Sequence, residues 1–571
     1  MKTLNLHVDY IKFKPLKKAL KSIGELSESE KKEKEIKEAL VVLTAVEKTD
    51  NDIGLAVEKL AENIEDIAKQ VNTKNIVLYP YAHLSSNLSS PETAISILEK
   101  TEKELSKNKF KVVRAPFGYY KEFELKVKGH PLSELSREIK GGDIKGEKIK
   151  EEVYDYKRLL GEISKSKLDT SKLKDNDHRI LGRQMDLFSF NEVAPGMVFW
   201  HNNGLIIKNE LINFSRELNR QFGYQEIQTP QILDKKLWQI SGHWERYKEN
   251  IFLTEYEKRE FAVKPMNCPG GLLIFKSSPK SYKDLPLKSG EFGIVHRCEL
   301  SGVLGGLFRV IQFTQDDAHI FCTENQLQEE IGKVIDLVDI VYSKFGFKYA
   351  VELSTRPEKR IGSDAFWDKA EDALKKVLDK MKINYKINKG DGAFYGPKID
   401  FHLKDSLGRT WQCGTIQVDF SMPERFELEY TDKDNKKKQP IMIHRAVYGS
   451  LERFIGVLLE STNGRLPVWL APIQVRILSF TDRNIKYAEK MIERFKKDMP
   501  NLRIDSDFSQ TTLPSKVKSA EEMKIPYILT VGDKEEKEGL IAVRKGGEKV
   551  IETLDTDEFL FDLKMKIEKR M

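Results

Sequence analysis

Cysteine is scarce in this chain, with four among 571 residues (Cys268, Cys298, Cys322 and Cys413) and no CxxC pair. That excludes a disulfide framework and a zinc ribbon, so a metal site here would need histidine ligands. No run reaches the roughly 18 apolar residues of a membrane-spanning helix. The pattern GxxxxGK[ST] is missing, which removes the P-loop route to ATP. Charge of one sign is not in excess either: 96 Lys+Arg face 89 Asp+Glu, a net +7. With 32% charged and 40% apolar residues, the chain is not mainly disordered. At roughly 150 residues per domain it has core enough for about three or four. The opening MKTLNLHVDYIKFK alternates like a strand and lacks the apolar core and cleavage site of a signal peptide, so a cytoplasmic protein with no membrane association is expected. A pI near 8.7 is compatible with a nucleic-acid partner without requiring one.

The chain reads as multidomain α/β and α+β. Residues 1–140 form a mixed α/β unit with strands LNLHVDY, EALVVLTAVEKT and NIVLYPY, an amphipathic helix DIGLAVEKLAENIEDIAKQV, and a second helix opened by Ser90 and Pro91. VVRAPFGYY and KEFELKVKGH suggest a hairpin. Residues 141–189, rich in Lys, Glu and Asp, read as a charged helical linker. In 190–465 a long helix, LIIKNELINFSRELNRQF, stops at Gly223. The strand-like runs after it, separated by turns, imply an antiparallel sheet rather than a Rossmann layout. Residues 466–571 alternate strands and helices in a compact α/β domain with a partly parallel sheet.

Three segments of the central region carry metal-ligand types: Cys268 in PMNCPGG, His319 in TQDDAHIF and His444 in IMIHRAV. As ligands they would leave a fourth zinc position open, as at a catalytic or substrate-binding site. The same three residues also suit a plain buried core, and spacing alone leaves both readings open. Arg297 and Glu299 on the strand GIVHRCEL, Arg309, and Arg453 on the helix SLERFIGVLLE suit phosphates and carboxylates, because guanidinium forks bidentately. Taken singly, each is equally an ion-paired surface arginine.

Together, DHRILGRQMDLF, the helix running to Pro230, FGIVHRCE and GSLERFIGVLLE resemble the entry and the three motifs of the class II aminoacyl-tRNA synthetases. MNCPG, FTQDDAHIFC, AFYGPKID, WQCGTIQVDF and MIHRA are similar to the threonyl-tRNA synthetase family in particular, over about 280 residues. The resemblance implies a class II antiparallel catalytic core, one Zn²⁺ held by Cys268, His319 and His444, and ATP bound with Mg²⁺. It implies threonine contacts from Asp317, Gln315 and Tyr395. Arg297 would bridge the threonine carboxylate and the α-phosphate, Glu299 and Phe313 would meet adenine, and Arg309 and Arg453 would hold the triphosphate. Gln412, Thr415 and Gln417 would line the nucleotide, with Lys398 a weaker candidate. His243 in SGHWERY would assist deprotonation of the tRNA ribose hydroxyl, against a reading as a loop histidine without a role. Gly271, Gly305 and Ile311-Gln312 depart from many relatives, none at a zinc ligand.

Zinc recognition of an amine and a β-hydroxyl rejects valine strongly, but serine differs from threonine by one methyl, worth only about 1–3 kcal/mol of discrimination. A hydrolytic site is therefore expected. YPYAHLSSN, APFGYYKEF and KGHPLSELSR resemble the archaeal editing domain of this family, built like a D-aminoacyl-tRNA deacylase. By that resemblance His83, Tyr120, Lys121 and Glu134 would position a water and the 3′-terminal adenosine of a serylated tRNA(Thr). KIPYILTVGDKE and IAVRKG resemble an anticodon-binding domain, with Arg544 a base contact, although Pro514, Lys518 and Gly546 stand where that family usually differs. A homodimer is implied by the segment from Leu205 to Pro230. The alternative is an RNA-binding regulator or standalone deacylase that retained the fold.

Overall fold

The computed structural model describes residues 1–20, 23–85, 87–139, 156–163, 173–405 and 408–571. Two compact units emerge, Met1–Asp155 and Tyr156–Met571.

The first unit is a six-stranded mixed sheet. Its first strand, Lys2–Lys18, pairs antiparallel with Lys34–Ala45 on one side. On its other side it pairs with Tyr119–Val127 and, farther along, with Glu134–Glu138. The helices Ile53–Gln70 and Pro91–Lys107 start where the sequence signals them, capped by the side chains of Asp52 and Ser90. Such a cap contributes about 1 kcal/mol. Their apolar stripes, including Leu60, Ile64, Ile97 and Leu98, bury against Leu40, Val42, Ile76 and Leu78 of the sheet. The expected hairpin does not form. Lys111–Arg114 lies parallel to Asn75–Pro80, whereas Tyr119–Val127 joins the opposite side of the sheet. The helix Pro91–Lys107 acts as a crossover, and a crossover returns the chain parallel to the strand it left.

In the second unit, eight strands form one sheet in the order Tyr385–Asn388, Tyr349–Ser354, Lys398–Lys404, Thr410–Asp419, Ile441–Ser450, Gln312–Cys322, Leu287–His296 and Gln225–Glu226. The five inner pairings are antiparallel and the two edge pairings parallel. The helices Leu327–Lys344, Asp364–Lys380 and Leu451–Thr462 supply much of the core packed on it. A five-stranded sheet follows, parallel over Ile504–Asp507, Val475–Ser479 and Tyr527–Val531, then antiparallel through Leu540–Lys545 and Ile551–Asp555.

Both expected boundaries are softer than composition implied. Of the linker 141–189, residues 141–155 and 164–172 lie outside the described residues. From His178 onward the segment is core: Leu181, Met185, Leu187 and Phe188 are buried with the eight-stranded sheet's helices. Leu466, Trp469 and Leu470, beyond the expected boundary at 465, belong to the same cluster. Arg503 pairs with Glu210 and Arg570 with Glu217, tying the C-terminal sheet region to the helix Asn202–Gln221.

Candidate active sites

Strand alternation builds the larger site. On Gln312–Cys322, every second side chain from Phe313 through Gln315 and Asp317 to His319 shares one face. On Thr410–Asp419, Cys413, Ile416 and Val418 enter the core, and Gln412, Thr415 and Gln417 line the opposite space. The result is a cavity of about 500 Å³ whose walls include Arg297, Glu299, Phe313, Asp317, Tyr395 and Arg453.

At one end of this cavity three donors converge. Cys268 opens the helix Cys268–Lys276, and His319 and His444 are direct cross-strand partners. Donor atoms of the three lie within 4.8 Å of one another, all on buried residues. His444 Nε2 lies 3.0 Å from Asp419 Oδ2. If Nε2 donates that hydrogen bond, Nδ1 keeps its lone pair for a ligand. His319 Nε2 is buried without a hydrogen-bond partner among the described residues. Burial, then Asp317 and Asp419, push the Cys268 thiol well above its ordinary value, which disfavours a thiolate unless a cation joins it. This donor set fits a zinc ion. Beside it, Asp317 is pushed up to about 6, chiefly by burial, and accepts from Asn267 Nδ2 at 3.3 Å. Tyr395 donates to Gln417 at 2.8 Å.

The cationic end is held by main-chain oxygens. Arg297 follows the strand Leu287–His296 rather than lying on it. Its Nε donates to Pro265 O at 3.2 Å, and its guanidinium lies 5.0 Å from the Phe313 ring. Arg453 donates from Nε to Phe308 O at 3.0 Å and from Nη1 to Gln412 O at 2.9 Å. Burial pulls its guanidinium below the ordinary arginine value, so an anion arriving there meets a poorly solvated cation. Arg309 pairs with Glu299 at 2.9 Å. Asp400, absent from the sequence reading, ties this wall of the cavity together: it accepts from Gln412 Nε2 and Thr415 Oγ1 and pairs with Lys398 at 2.8 Å. Its signal in the sequence was only an acidic residue between the apolar Ile399 and Phe401.

His243 is set back from this cavity. It is fully buried, 5.5 Å from the Phe394 ring and 5.9 Å from Trp238. Burial, with His444 and Arg297 nearby, pulls it down to about 3, so the imidazole is neutral at pH 7. Gly271 leaves just enough room for His319: a Cβ there would lie 3.4 Å from its Nδ1.

The second site lies in the first unit. A cavity of about 560 Å³ is walled by Thr44, Tyr79, His83, Phe117, Tyr120 and Lys121, among others. Lys121 Nζ donates to Pro116 O at 2.9 Å and to Tyr119 O at 3.0 Å, over the Tyr79 ring at 5.0 Å. Burial lowers it to about 8. His83 and Tyr120 are exposed on the rim. Glu134 does not join them. Lys121 pairs with Pro15 and Glu134 with Leu6, nine positions apart on the first strand, roughly 30 Å at strand rise. The expected four-residue cluster is thus three residues in this chain, because the first strand is long enough to carry two partners end to end.

Comparison with known proteins matches residues 1–139 to the archaea-specific editing domain of threonyl-tRNA synthetase, 252–462 to the class II tRNA synthetase core domain (G, H, P, S and T), and 474–565 to an anticodon binding domain. A threonine--tRNA ligase of Desulforamulus reducens is 51% identical over 397 residues, 70% of this chain and 62% of that protein. One from Clostridium botulinum strain Langeland is 47% identical over 452 residues, covering 78% and 70%. A solved structure described as the RNA binding domain of threonyl-tRNA synthetase from Cryptosporidium parvum matches at TM-score 0.66 and 41% identity, over 68% of this chain and 98% of that one. The chain thus spans somewhat under two thirds of the D. reducens relative's length.

Proposed function

Because the chain belongs to the threonyl-tRNA synthetase family, we propose that it joins L-threonine to tRNA(Thr) through a threonyl-adenylate and hydrolyses mischarged Ser-tRNA(Thr) in its first unit. The observation that carries this reading is the opening of a Cys268/His319/His444 donor set and two arginines with no carboxylate ion pair among the described residues, Arg297 and Arg453, onto one cavity.

Zinc held by these three residues would supply a Lewis-acid position for an amine and a hydroxyl, which valine lacks. Asp317 and Tyr395 orient the amino acid. Arg297 draws the threonine carboxylate toward the α-phosphate, and an oxygen–phosphorus bond forms as the bond from the α-phosphorus to pyrophosphate breaks; Mg²⁺ would accompany ATP and neutralise its phosphates. Arg309 and Arg453 neutralise the departing charge. Phe313 stacks the adenine and Glu299 bonds to it, while Gln412, Thr415 and Gln417 fix the nucleotide. The tRNA ribose hydroxyl then attacks the adenylate carbonyl and AMP leaves. His243, neutral and set back, sits 6.4 Å from the Tyr395 ring and supports the threonine end of the cavity rather than touching the hydroxyl itself.

In the first unit, Lys121 offers its cation to the 3′ end of a serylated tRNA, with His83 and Tyr120 at the rim and Glu134 outside the set. The division of labour is editing in 1–140, aminoacylation in 190–465 and tRNA anchoring in 466–571, working as a homodimer in the cytoplasm where translation occurs. Threonine-dependent exchange of labelled pyrophosphate into ATP tests the synthetic half. No exchange with metal-replete protein would sink it. Hydrolysis of preformed Ser-tRNA(Thr) but not Thr-tRNA(Thr) by the full chain tests the editing half.

A further inference from the structure

We infer that His178 is a positioning residue for triphosphate binding: it fastens residues 304–309, which carry Arg309, to the far end of the helix that carries Arg453. The inference rests on the ATP-dependent reading above. His178 begins the helix His178–Gln184 and is 1% exposed. Both ring nitrogens are engaged. Nε2 receives a hydrogen bond from the Leu307 backbone N–H at 2.9 Å. A backbone N–H can only donate, so Nε2 is the bare nitrogen and the ring proton sits on Nδ1. Nδ1 faces Glu460 Oε1 at 2.8 Å, on the last turns of the helix Leu451–Thr462. The donor atoms of Asp177, His178 and Glu460 lie as close as those of a metal site. With neither ring nitrogen free, a positioning role is favoured over a ligand role.

Two further features show how closely the loop is fitted to this ring. Gly306 has φ +56°, and a Cβ there would stand 2.2 Å from His178 Nε2, so only glycine lets the loop close on the imidazole. Phe308 meets the ring edge-on at 4.4 Å. Phe308 is the same residue whose carbonyl holds Arg453 Nε and whose ring stacks on Trp411 at 4.4 Å. Glu460 completes the frame through its other oxygen, which takes Arg409 Nη2 at 3.0 Å, and that guanidinium lies 5.1 Å from the Phe308 ring. The imidazole does not line the cavity, yet it sets the carbonyl that aims Arg453 and the loop that delivers Arg309.

The test compares full-length His178→Phe, which keeps a buried ring and deletes both hydrogen bonds, with His178→Gln, which offers one acceptor and one donor again. ATP binding with Mg²⁺ is read by titration calorimetry, and pyrophosphate exchange gives KM for ATP and for threonine. The expected result for H178F is ATP affinity weakened roughly tenfold or more, with KM for threonine within about twofold and recovery to within about threefold in H178Q. Ser-tRNA hydrolysis serves as a control and stays at the wild-type rate. Unchanged ATP affinity in H178F overturns the inference. So does equal loss for ATP and threonine, or an H178Q protein as impaired as H178F, since either marks general loosening of the core. A wild-type chain that binds ATP without threonine-dependent exchange would sink the functional reading instead, leaving calorimetry to decide the role of His178.

Discussion

The two cavities solve opposite electrostatic problems. In the class II core, charged groups are plentiful and held by polar partners: Arg453 by two carbonyls, His444 by Asp419, and Gln412, Thr415 and Lys398 by Asp400. In the first unit Lys121, the one lysine among the described lining residues of that cavity, faces a largely apolar wall, steadied by two carbonyls and the Tyr79 ring. The first arrangement suits a reaction that gathers a triphosphate and a metal, where charge must be matched closely. The second suits hydrolysis of an RNA ester, where the substrate brings its own phosphates and one desolvated cation is enough. Dense networks tolerate loss of an outer member, whereas no second lysine stands beside Lys121 among the described lining residues.

The largest expected effect breaks the core alone. Cys268→Ser should lose bound zinc and lower threonine-dependent exchange by about a hundredfold or more, since even outer partners of a metal site contribute 10–100-fold. Metal analysis and exchange should fall together while Ser-tRNA hydrolysis continues. A zinc-free wild type with full activity would contradict this.

Arg297→Ala should come next, lowering kcat for exchange about 10²–10³-fold, the usual range for one transition-state charge donor. Deacylation of Ser-tRNA should again be spared. If both activities drop, the two cavities are not independent.

Lys121→Met inverts the pattern. Ser-tRNA hydrolysis should fall about a hundredfold with threonine charging near normal. Burial places the folded pKa at about 8, below that of a lysine in the unfolded chain. Between about pH 8 and 10 the unfolded state therefore holds more protons, and stability of this unit rises with pH in that window. Below pH 8 the lysine is a standing penalty. Its removal should raise stability at pH 7 by on the order of 1–2 kcal/mol, discounted for partial exposure. Chemical denaturation of wild type and variant at pH 7 and 9.5 checks the sign: the gap should narrow at the higher pH.

Asp400→Asn should have the smallest effect. It keeps the shape of the nucleotide wall but weakens the grip on Gln412, Thr415 and Lys398, raising KM for ATP several-fold, within the range of outer-partner losses.

The residues themselves announced much of the core. FTQDDAHIFC carries Phe313, Gln315, Asp317 and His319 at a spacing of two, and any strand puts such residues on one face. The helix start at Ser90 and Pro91 and the stop at Gly223 were also legible, because they depend on neighbours a few residues away. Asp400, Asn267 and Tyr79 were not singled out. Each acquires its role from a residue on another strand or helix.

Local chemistry and motif order thus determined most of the element types, the three sheet-bearing regions and the candidate residues for metal and phosphate. Tertiary structure alone decided which of them meet. It separated Glu134 from Lys121 by running two strands along one long partner, and it set His243 back from the cavity wall. It also drew residues 178–188 out of the expected linker into the core. The physical reason is common to all three. Spacing along a chain specifies which face a side chain takes, but distances across a fold depend on strand register and crossover, which are settled by burial of apolar surface between distant segments.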